Sequence, residues 1–186
     1  MVDKVLSAEK LGDEEISQMF TKENTENKFT PECAMLAAGG ALEGMKDVVS
    51  SPCNVKSAFC LIRPPGHHAN AYTADGYWFF NNASVAAHFA KELYGLKKVL
   101  ILDWDVHHGD GTQEIFYESD EVMFMSVHRY ENQAFFPHKE CGNYDYVGDK
   151  KGEGYNVNVA WNTRWSNWYR HQRVYLFIRK SSLWDH

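Results

Sequence analysis

Cysteine is scarce in this chain, with four residues among 186, and no two of them form a C-x-x-C pair. That absence excludes a zinc ribbon and a thioredoxin-type redox motif. We therefore expect free thiols at Cys33, Cys53, Cys60 and Cys141. A run of about 18 apolar residues is also missing, and residues 1–29 are polar, without the apolar core of a signal peptide. We expect no membrane span and no export, which with free thiols favours the cytoplasm or the nucleus.

Positive charge is in short supply as well. The 19 Lys and Arg residues against 25 Asp and Glu residues give a net charge of −6. Proteins that bind nucleic acid through their overall field carry basic surfaces, so direct nucleic-acid binding is not expected. A charge of this size is ordinary, so it favours lysine-rich protein tails as partners only weakly. The hydrophobic content of 44% is enough for one core, and no second domain is indicated.

Short apolar runs alternate with helical patterns along the chain. The first predicted helix begins at residue 30 and is interrupted at Gly39 and Gly40. The second begins at Asn81 or Asn82 and ends at Gly95, and the third covers residues 112–118. Branched apolar runs predict strands at 58–62, 99–102, 122–127 and 155–159. Residues 130–154 form a long loop in this prediction. The alternation indicates an α/β fold with a mostly parallel open sheet and helices on both faces.

Asp103, Asp105 and His107 follow the predicted strand 99–102 at every second position. Side chains alternate along an extended chain, so all three leave one face near the carboxyl end, where open α/β sheets bind ligands. Two carboxylates this close need a cation or a proton between them. Nitrogen and oxygen donors without thiolate suit a catalytic zinc or iron site. An isolated motif of this kind is equally compatible with a capped turn carrying surface histidines.

A histidine pair, His67-His68, follows the predicted strand 58–62 and a rigid Pro-Pro-Gly turn. Imidazole exchanges protons near neutral pH, so such a pair is typical of acid–base catalysis. Asp103 and Asp110 are the candidates to orient the two rings. Without the second cluster, the pair would be interpreted as a surface turn.

These motifs together resemble the zinc-dependent histone deacetylases, from about residue 30 to residue 162 and in the family's order, with closest likeness to the class II branch. The fold implied is the arginase/deacetylase type. The strings that carry the resemblance are RPPGHHA (63–69), GYWFFNN (76–82), DWDVHHGDG (103–111), SVHRY (126–130), FFP (135–137) and GYNVNV (154–159).

The resemblance implies a role for each matching residue. Asp105 and His107 correspond to two of three zinc ligands. The catalytic residues implied are the tandem His67 and His68 with their orienting partners Asp103 and Asp110. The family also binds structural potassium, for which the first implied ligand set is Asp103, Asp105, His107, Ser126 and Val127. The second potassium set is Phe116, Ser119, Val122 and Tyr155.

The acyl-lysine tunnel of the family corresponds here to Gly76, Tyr77 and Phe136. Tyr77 replaces the usual Phe, which would make the tunnel slightly more polar. A binuclear manganese hydrolase of the arginase type is disfavoured, because that site needs an acid two positions after the histidine and this chain has Gly109 there.

Two parts of the family pattern have no counterpart in this chain: the third metal ligand, an Asp, and the Gly-Gly-Tyr turn whose phenol steadies the oxyanion. After Asn162 the composition turns basic, with five Lys or Arg and one acid in 164–186. We therefore expect a loose polar segment at 1–29, a partial deacetylase domain at 30–162, truncated at both ends, and a divergent tail at 163–186. The apolar run 174–178 is either a replacement strand or a terminal segment that docks poorly.

The function that the resemblance implies is zinc-dependent hydrolysis of acetyl-lysine amides in proteins, with a histone-like or tubulin-like tail as substrate and with corepressors or other proteins as further partners. Because a metal ligand and the oxyanion tyrosine have no counterpart, we expect weak or no activity from this chain alone. The alternative is a non-catalytic form that binds acyl-lysine or other proteins.

Overall fold

The fold is a small parallel sheet with helices, seen in a computed structural model that describes residues 30–50, 55–72 and 79–162. The helices are α1 (Thr30–Ser50), α2 (Asn82–Tyr94) and α3 (Asp110–Phe116), and the strands are β1 (Val99–Asp103), β2 (Val122–Arg129) and β3 (Asn156–Trp161). Two short 3-10 helices, Glu140–Gly142 and Lys150–Gly152, lie in the long connection between β2 and β3.

The three strands run parallel in the order β1-β2-β3. Asp103 at the end of β1 pairs in register with Ser126 of β2, and Ser126 pairs in turn with Asn158 of β3. The carboxyl ends of all three strands therefore lie at the same edge of the sheet, where the segment after β1 begins. This architecture confirms the predicted α/β fold with a parallel sheet.

Helix α2 begins and ends where the sequence predicted. The Asn81 side chain accepts a hydrogen bond from Ser84 N at 3.1 Å, and the helix ends at Gly95. Its inner face packs against the sheet in a core of six buried residues: Ala83, Ala87, Val99, Ile101, Val122 and Phe124. Burial of these side chains fixes α2 over β1 and β2, and α2 in turn supports the loop that precedes it.

Three sequence predictions about the elements were wrong. Gly39 and Gly40 do not interrupt α1, which continues for 21 residues. A Cβ on Gly40 would lie 2.9 Å from Ile62 Cγ2, so the helix uses this glycine for close packing. Residues 58–62 form no strand in the described structure and instead run along α1. Helix α3 also begins and ends two residues earlier than the predicted 112–118.

Some predictions fall on residues outside the described ranges: those for 1–29, for Cys53, for the tunnel residues Gly76 and Tyr77, and for the tail 163–186 with its candidate strand 174–178. Within the described ranges, Cys33, Cys60 and Cys141 are free thiols, as expected. No helix in those ranges combines the length and the apolarity that a membrane crossing requires.

Candidate active site

The loop that carries the histidine pair is fixed by hydrogen bonds from residues at the start of α2. Asn82 Nδ2 donates to the carbonyl oxygens of Pro64 and Pro65 at 2.7 and 3.1 Å, and Asn81 Nδ2 donates to Ala69 O at 3.1 Å. The backbone N–H of Thr112 in α3 donates to His67 O at 3.2 Å. Because these donors are buried at the ends of two helices, the loop is fixed between them, and both imidazoles are almost fully buried.

Two glycines allow α3 to approach this loop. A Cβ on Gly111 would lie 2.4 Å from Ala69 O and 2.5 Å from the carbonyl carbon of His68. A Cβ on Gly109 would lie 2.2 Å from Asp103 Oδ2. An acidic side chain at position 109 would therefore collide with Asp103, which is a structural reason against the binuclear manganese alternative.

The first histidine pairs with the end of β1. His67 Nδ1 lies 2.8 Å from Asp103 Oδ2, and Asp103 Oδ1 accepts a hydrogen bond from Asp105 N at 3.0 Å. Burial disfavours the charged imidazole, but the carboxylates of Asp103, Asp105 and Asp110 outweigh it, and they raise the pKa of His67 above its ordinary value. His67 is thus favoured in its cationic form.

The second histidine pairs with the start of α3. His68 Nδ1 lies 2.6 Å from Asp110 Oδ1, and Lys139 Nζ contacts the other carboxylate oxygen, Oδ2. Burial, with the neighbouring rings of His67 and His107, lowers the pKa of His68 despite the hydrogen bond that the ring donates to Asp110. Burial acts to raise the pKa of Asp110, but the hydrogen bonds from His68 and Lys139 prevail and lower it. In this pair, the neutral imidazole and the ionised carboxylate are therefore favoured.

Asp105 and His107 bring two donor atoms together beside the histidine pair. Asp105 Oδ1 lies 3.0 Å from His107 Nδ1 and 3.9 Å from His67 Nε2. Burial opposes ionisation of Asp105, but the hydrogen bonds from His107 and the charge of His67 lower its pKa. Two ligands of one tetrahedral zinc lie about 3.3 Å apart, because zinc bonds to nitrogen and oxygen are about 2.0–2.1 Å long. The observed 3.0 Å separation is close to that value.

The carboxylate of Asp105 and the imidazole of His107 are donors that suit zinc, but they are two ligands where a catalytic zinc site usually has three. Across 30–50, 55–72 and 79–162 no group of three or more His, Cys, Asp or Glu residues is placed to hold a metal ion.

The predicted zinc-binding and acid–base residues meet in one place. The ring centroids of His67 and His68 are 4.0 Å apart, and those of His68 and His107 are 6.0 Å apart. Asp103 and Asp110 each contact one ring of the pair. The cluster lies at the carboxyl end of β1, where the sequence predicted it. The strand ends at Asp103, however, and turns in which Asp103 and Asp105 accept backbone N–H groups, rather than strand alternation, place Asp105 and His107.

Aromatic side chains close one side of the cluster. Phe136 meets the rings of His68 and His107 edge-on, at centroid distances of 5.1 and 5.6 Å. Phe135 stacks flat on His107 at 5.2 Å, and the guanidinium of Arg129 lies over the Phe135 ring at 4.6 Å. Phe136 is 44% exposed, so it lies at the mouth of the site, where a tunnel residue would be. The stack of Arg129, Phe135 and His107 fixes the plane of a candidate metal ligand.

The residues of the two predicted potassium sites have other contacts here. Ser126 pairs in register with Asp103, and its hydroxyl lies 2.9 Å from His128 Nδ1. In the second set, Phe116 O accepts from Ser119 N at 2.9 Å, and Tyr155 O accepts from Phe124 N at 2.9 Å. Val127 and Val122 lie on β2, next to these groups. Potassium binding therefore stays a prediction.

Two residues of the site were not foreseen from the sequence. Lys139 contacts Asp110, which lies 29 residues earlier in the chain, and no local sequence motif predicts such a contact. Gln113 Oε1 accepts hydrogen bonds from His108 Nε2, Asn156 Nδ2 and Asn158 Nδ2 at 2.9, 3.0 and 2.9 Å. The helical position of Gln113, three residues after Asp110, was the available signal that it faces the same region.

Comparisons with known proteins point to one family. A family model described as the histone deacetylase domain matches residues 1–180. Histone deacetylase 6 of Caenorhabditis elegans is 41% identical over 86% of this chain and 17% of its own length. Polyamine deacetylase HDAC10 of Danio rerio is 45% identical over 70% of this chain and 19% of its own length. The crystal structure of the HDA15 HD domain matches with a TM-score of 0.73 and 42% identity, over 82% of this chain and 44% of that one.

The chain thus spans less than a fifth of the length of these two curated relatives and less than half of the solved domain. The family model nevertheless covers most of the chain, and the level of identity is well above that of chance similarity. The chain belongs to the histone deacetylase family.

Proposed function

We propose that this chain carries part of the active site of a zinc-dependent deacetylase that hydrolyses acetyl-lysine amides in proteins. The observation that supports this most directly is the convergence of Asp105 and His107 with the His67-His68 pair. Potassium sites, corepressor partners and residence in the cytoplasm or nucleus belong to the same proposal, and so do the boundaries of the partial domain at residues 30 and 162.

Asp105 Oδ1 and His107 Nδ1 would hold the zinc ion. When bound, zinc would supply Lewis acidity, which polarises an amide carbonyl and makes water more acidic. The aromatic side chains would position the acyl chain, with Phe136 at the mouth. A third ligand would have to complete the site.

The two histidines would divide the proton chemistry. His68 is favoured as neutral, and its Nδ1 is engaged by Asp110, so Nε2 would be the ring nitrogen that accepts the proton of the attacking water. His67 is favoured as a cation, and its Nε2 lies 3.9 Å from Asp105, where it would stabilise the negative charge that develops on the acyl oxygen. Return of a proton to the departing amine would complete hydrolysis to lysine and acetate.

The test combines metal content with turnover in the His107→Ala variant. We expect the parent chain to take up zinc and to hydrolyse a fluorogenic acetyl-lysine peptide slowly, and His107→Ala to lose both together. His138→Ala is the matched control, because His138 is an exposed imidazole on the neighbouring loop that hydrogen-bonds Gln133 O. Turnover that survives His107→Ala would contradict the metal assignment.

The second candidate is a non-catalytic form that binds acyl-lysine or protein partners. The observation that favours it is that Asp105 and His107 are joined by no third metal ligand within the described residues. Folded chain that binds an acetyl-lysine peptide but takes up no zinc and shows no turnover would support it. The same assay with an acetylated polyamine separates a protein substrate from the small-molecule substrate that the name of the Danio rerio relative indicates.

A further inference from the structure

The carboxylate that orients His68 is held at both of its oxygens. Asp110 Oδ1 lies 2.6 Å from His68 Nδ1, while Oδ2 contacts the ammonium of Lys139. The Asp110 side chain is 2% exposed and that of Lys139 is 46% exposed, so the lysine reaches inward from the surface. Charge-assisted contacts of this kind fix a carboxylate more firmly than a neutral hydrogen bond does.

The backbone of Lys139 is itself held in place. Lys139 directly precedes the 3-10 helix Glu140–Gly142, and the carbonyls of that helix accept hydrogen bonds from buried side chains. Gln113 Nε2 donates to Cys141 O at 2.7 Å, and His128 Nε2 lies 2.8 Å from Gly142 O. The backbone next to Lys139 is therefore fixed by α3 and β2, and this fixes the position from which the ammonium group contacts Asp110.

The space behind Asp110 explains why this contact matters. A cavity of about 490 Å³ is lined by Asp110 and Lys139 together with Tyr117, Cys141 and other residues. Without the ammonium, Asp110 Oδ2 would face this cavity, and the carboxylate could turn toward water in it. The hydrogen bond to His68 would then lose its fixed direction, because both oxygens belong to one rigid group.

We propose that Lys139 is a positioning residue for His68, which acts by holding Asp110 so that its Oδ1 fixes the Nδ1–H form of the imidazole. This role rests on the proposed function, in which the Nε2 of His68 accepts a proton. Lys139 touches no substrate in this role and acts through Asp110 alone.

The test measures the ring nitrogens of His68 directly. In metal-free chain labelled with 15N-histidine, the two ring 15N shifts report which nitrogen carries the hydrogen, and His68→Asn assigns the signals. We expect the Nδ1–H form in the parent chain and a mixture of the two forms in Lys139→Met. Lys139→Arg should restore the parent pattern, because it returns a cation to Asp110.

Lys150→Met is the matched control, because Lys150 pairs with Glu118 at 2.6 Å between side chains that are 65% and 56% exposed, in the same long loop. It should leave the His68 signals unchanged. In acetyl-lysine hydrolysis, Lys139→Met should lower kcat on the order of tenfold, as is usual for a partner behind a catalytic group, with KM unchanged.

The proposal is overturned if Lys139→Met leaves the His68 shifts and kcat as they are in the parent. It is also overturned if Lys139→Arg behaves like Lys139→Met, since a charge at this position would then have no role. Should the parent chain prove inactive, the ring shifts alone decide the role of Lys139, while the inactivity counts against the proposed function.

Discussion

The two histidine–aspartate pairs of this site have similar geometry and opposite electrostatics. His67 meets Asp103 at 2.8 Å and His68 meets Asp110 at 2.6 Å, and both imidazoles are almost fully buried. Yet the pKa of His67 is raised and that of His68 is lowered. Hydrogen bonding to a carboxylate therefore does not decide the charge of either ring.

The surroundings of each pair account for the difference. Around His67, whose buried position disfavours charge, three carboxylates favour the cation: Asp103, Asp105 and Asp110. Around His68, burial acts together with the rings of His67 and His107, and Lys139 shares the carboxylate of its partner Asp110. Adjacent groups whose pKa values are pushed apart are suited to separate acid and base roles. The comparison supports our proposal that His68 is the base and His67 the stabilising cation.

The largest expected effect is a loss of activity on replacing Asp110, which distinguishes this carboxylate from Asp103. Asp110→Asn should lower kcat by about 10²–10⁴-fold, the range for loss of acid–base catalysis, because a neutral amide no longer fixes the imidazole. Its effect on stability should be small, since the half-exposed Lys139 can swing away. The measurement is the rate of acetyl-lysine hydrolysis beside urea unfolding.

Asp103→Asn should instead lower the free energy of unfolding. Both oxygens of Asp103 accept from N–H groups, His67 Nδ1–H and Asp105 N–H, so an amide must turn its own N–H₂ toward one of them. A buried donor left unpaired in this way costs about 1–3 kcal/mol. Equal rates and equal stabilities for the two variants would mean that the pairs do not differ in role.

A smaller effect is expected where α3 approaches the histidine loop. Gly111→Ala should lower the free energy of unfolding by about 1–3 kcal/mol, the usual cost of overpacking, because the new Cβ meets the backbone of residues 68 and 69. Gly39→Ala is the control: it lies in α1 with nothing within 4 Å of the added Cβ, and it should stabilise by roughly 0.5–1 kcal/mol through helix propensity. A neutral result for Gly111→Ala would show that the loop is free to move.

Most of the site could be predicted from the sequence because its motifs are local. Asp103, Asp105 and His107 lie within five residues of one another directly after an apolar strand, so the sequence was enough to bring them together. The predicted alternation was not the reason, because the strand ends at Asp103 and turns capped by Asp103 and Asp105 place the next two residues. The Pro-Pro-Gly-His-His motif indicated the partners His67 and His68, and the family resemblance joined the two clusters into one site. Lys139 could not be found in this way, since its contact with Asp110 depends on the path of a long irregular loop.

The errors in the fold have physical causes of the same kind. Gly39 and Gly40 were expected to interrupt α1 for close packing. The helix continues through both, because packing of Gly40 against Ile62 outweighs the low helix propensity of glycine. Residues 58–62 have the composition of a strand, yet a strand needs a hydrogen-bonding partner, and in the described structure this segment lies beside a helix. Local propensity predicts an element only where tertiary contacts agree with it.

The smallest expected effect is the pH dependence that the two pairs produce in metal-free chain. A raised pKa means that the stabilisation from His67 is fully present below about pH 6.5 and is lost as the pH rises through its folded pKa, with a slope of at most about 1.4 kcal/mol per pH unit. A lowered pKa means that His68 costs stability as the pH falls below about 6.5. NMR titration of the ring protons, assigned with His67→Asn and His68→Asn, should therefore show His67 more than half protonated at pH 6.5 and His68 less than half. The reverse order would exchange the roles of the two histidines, since the ring that stays neutral is the one able to accept the proton.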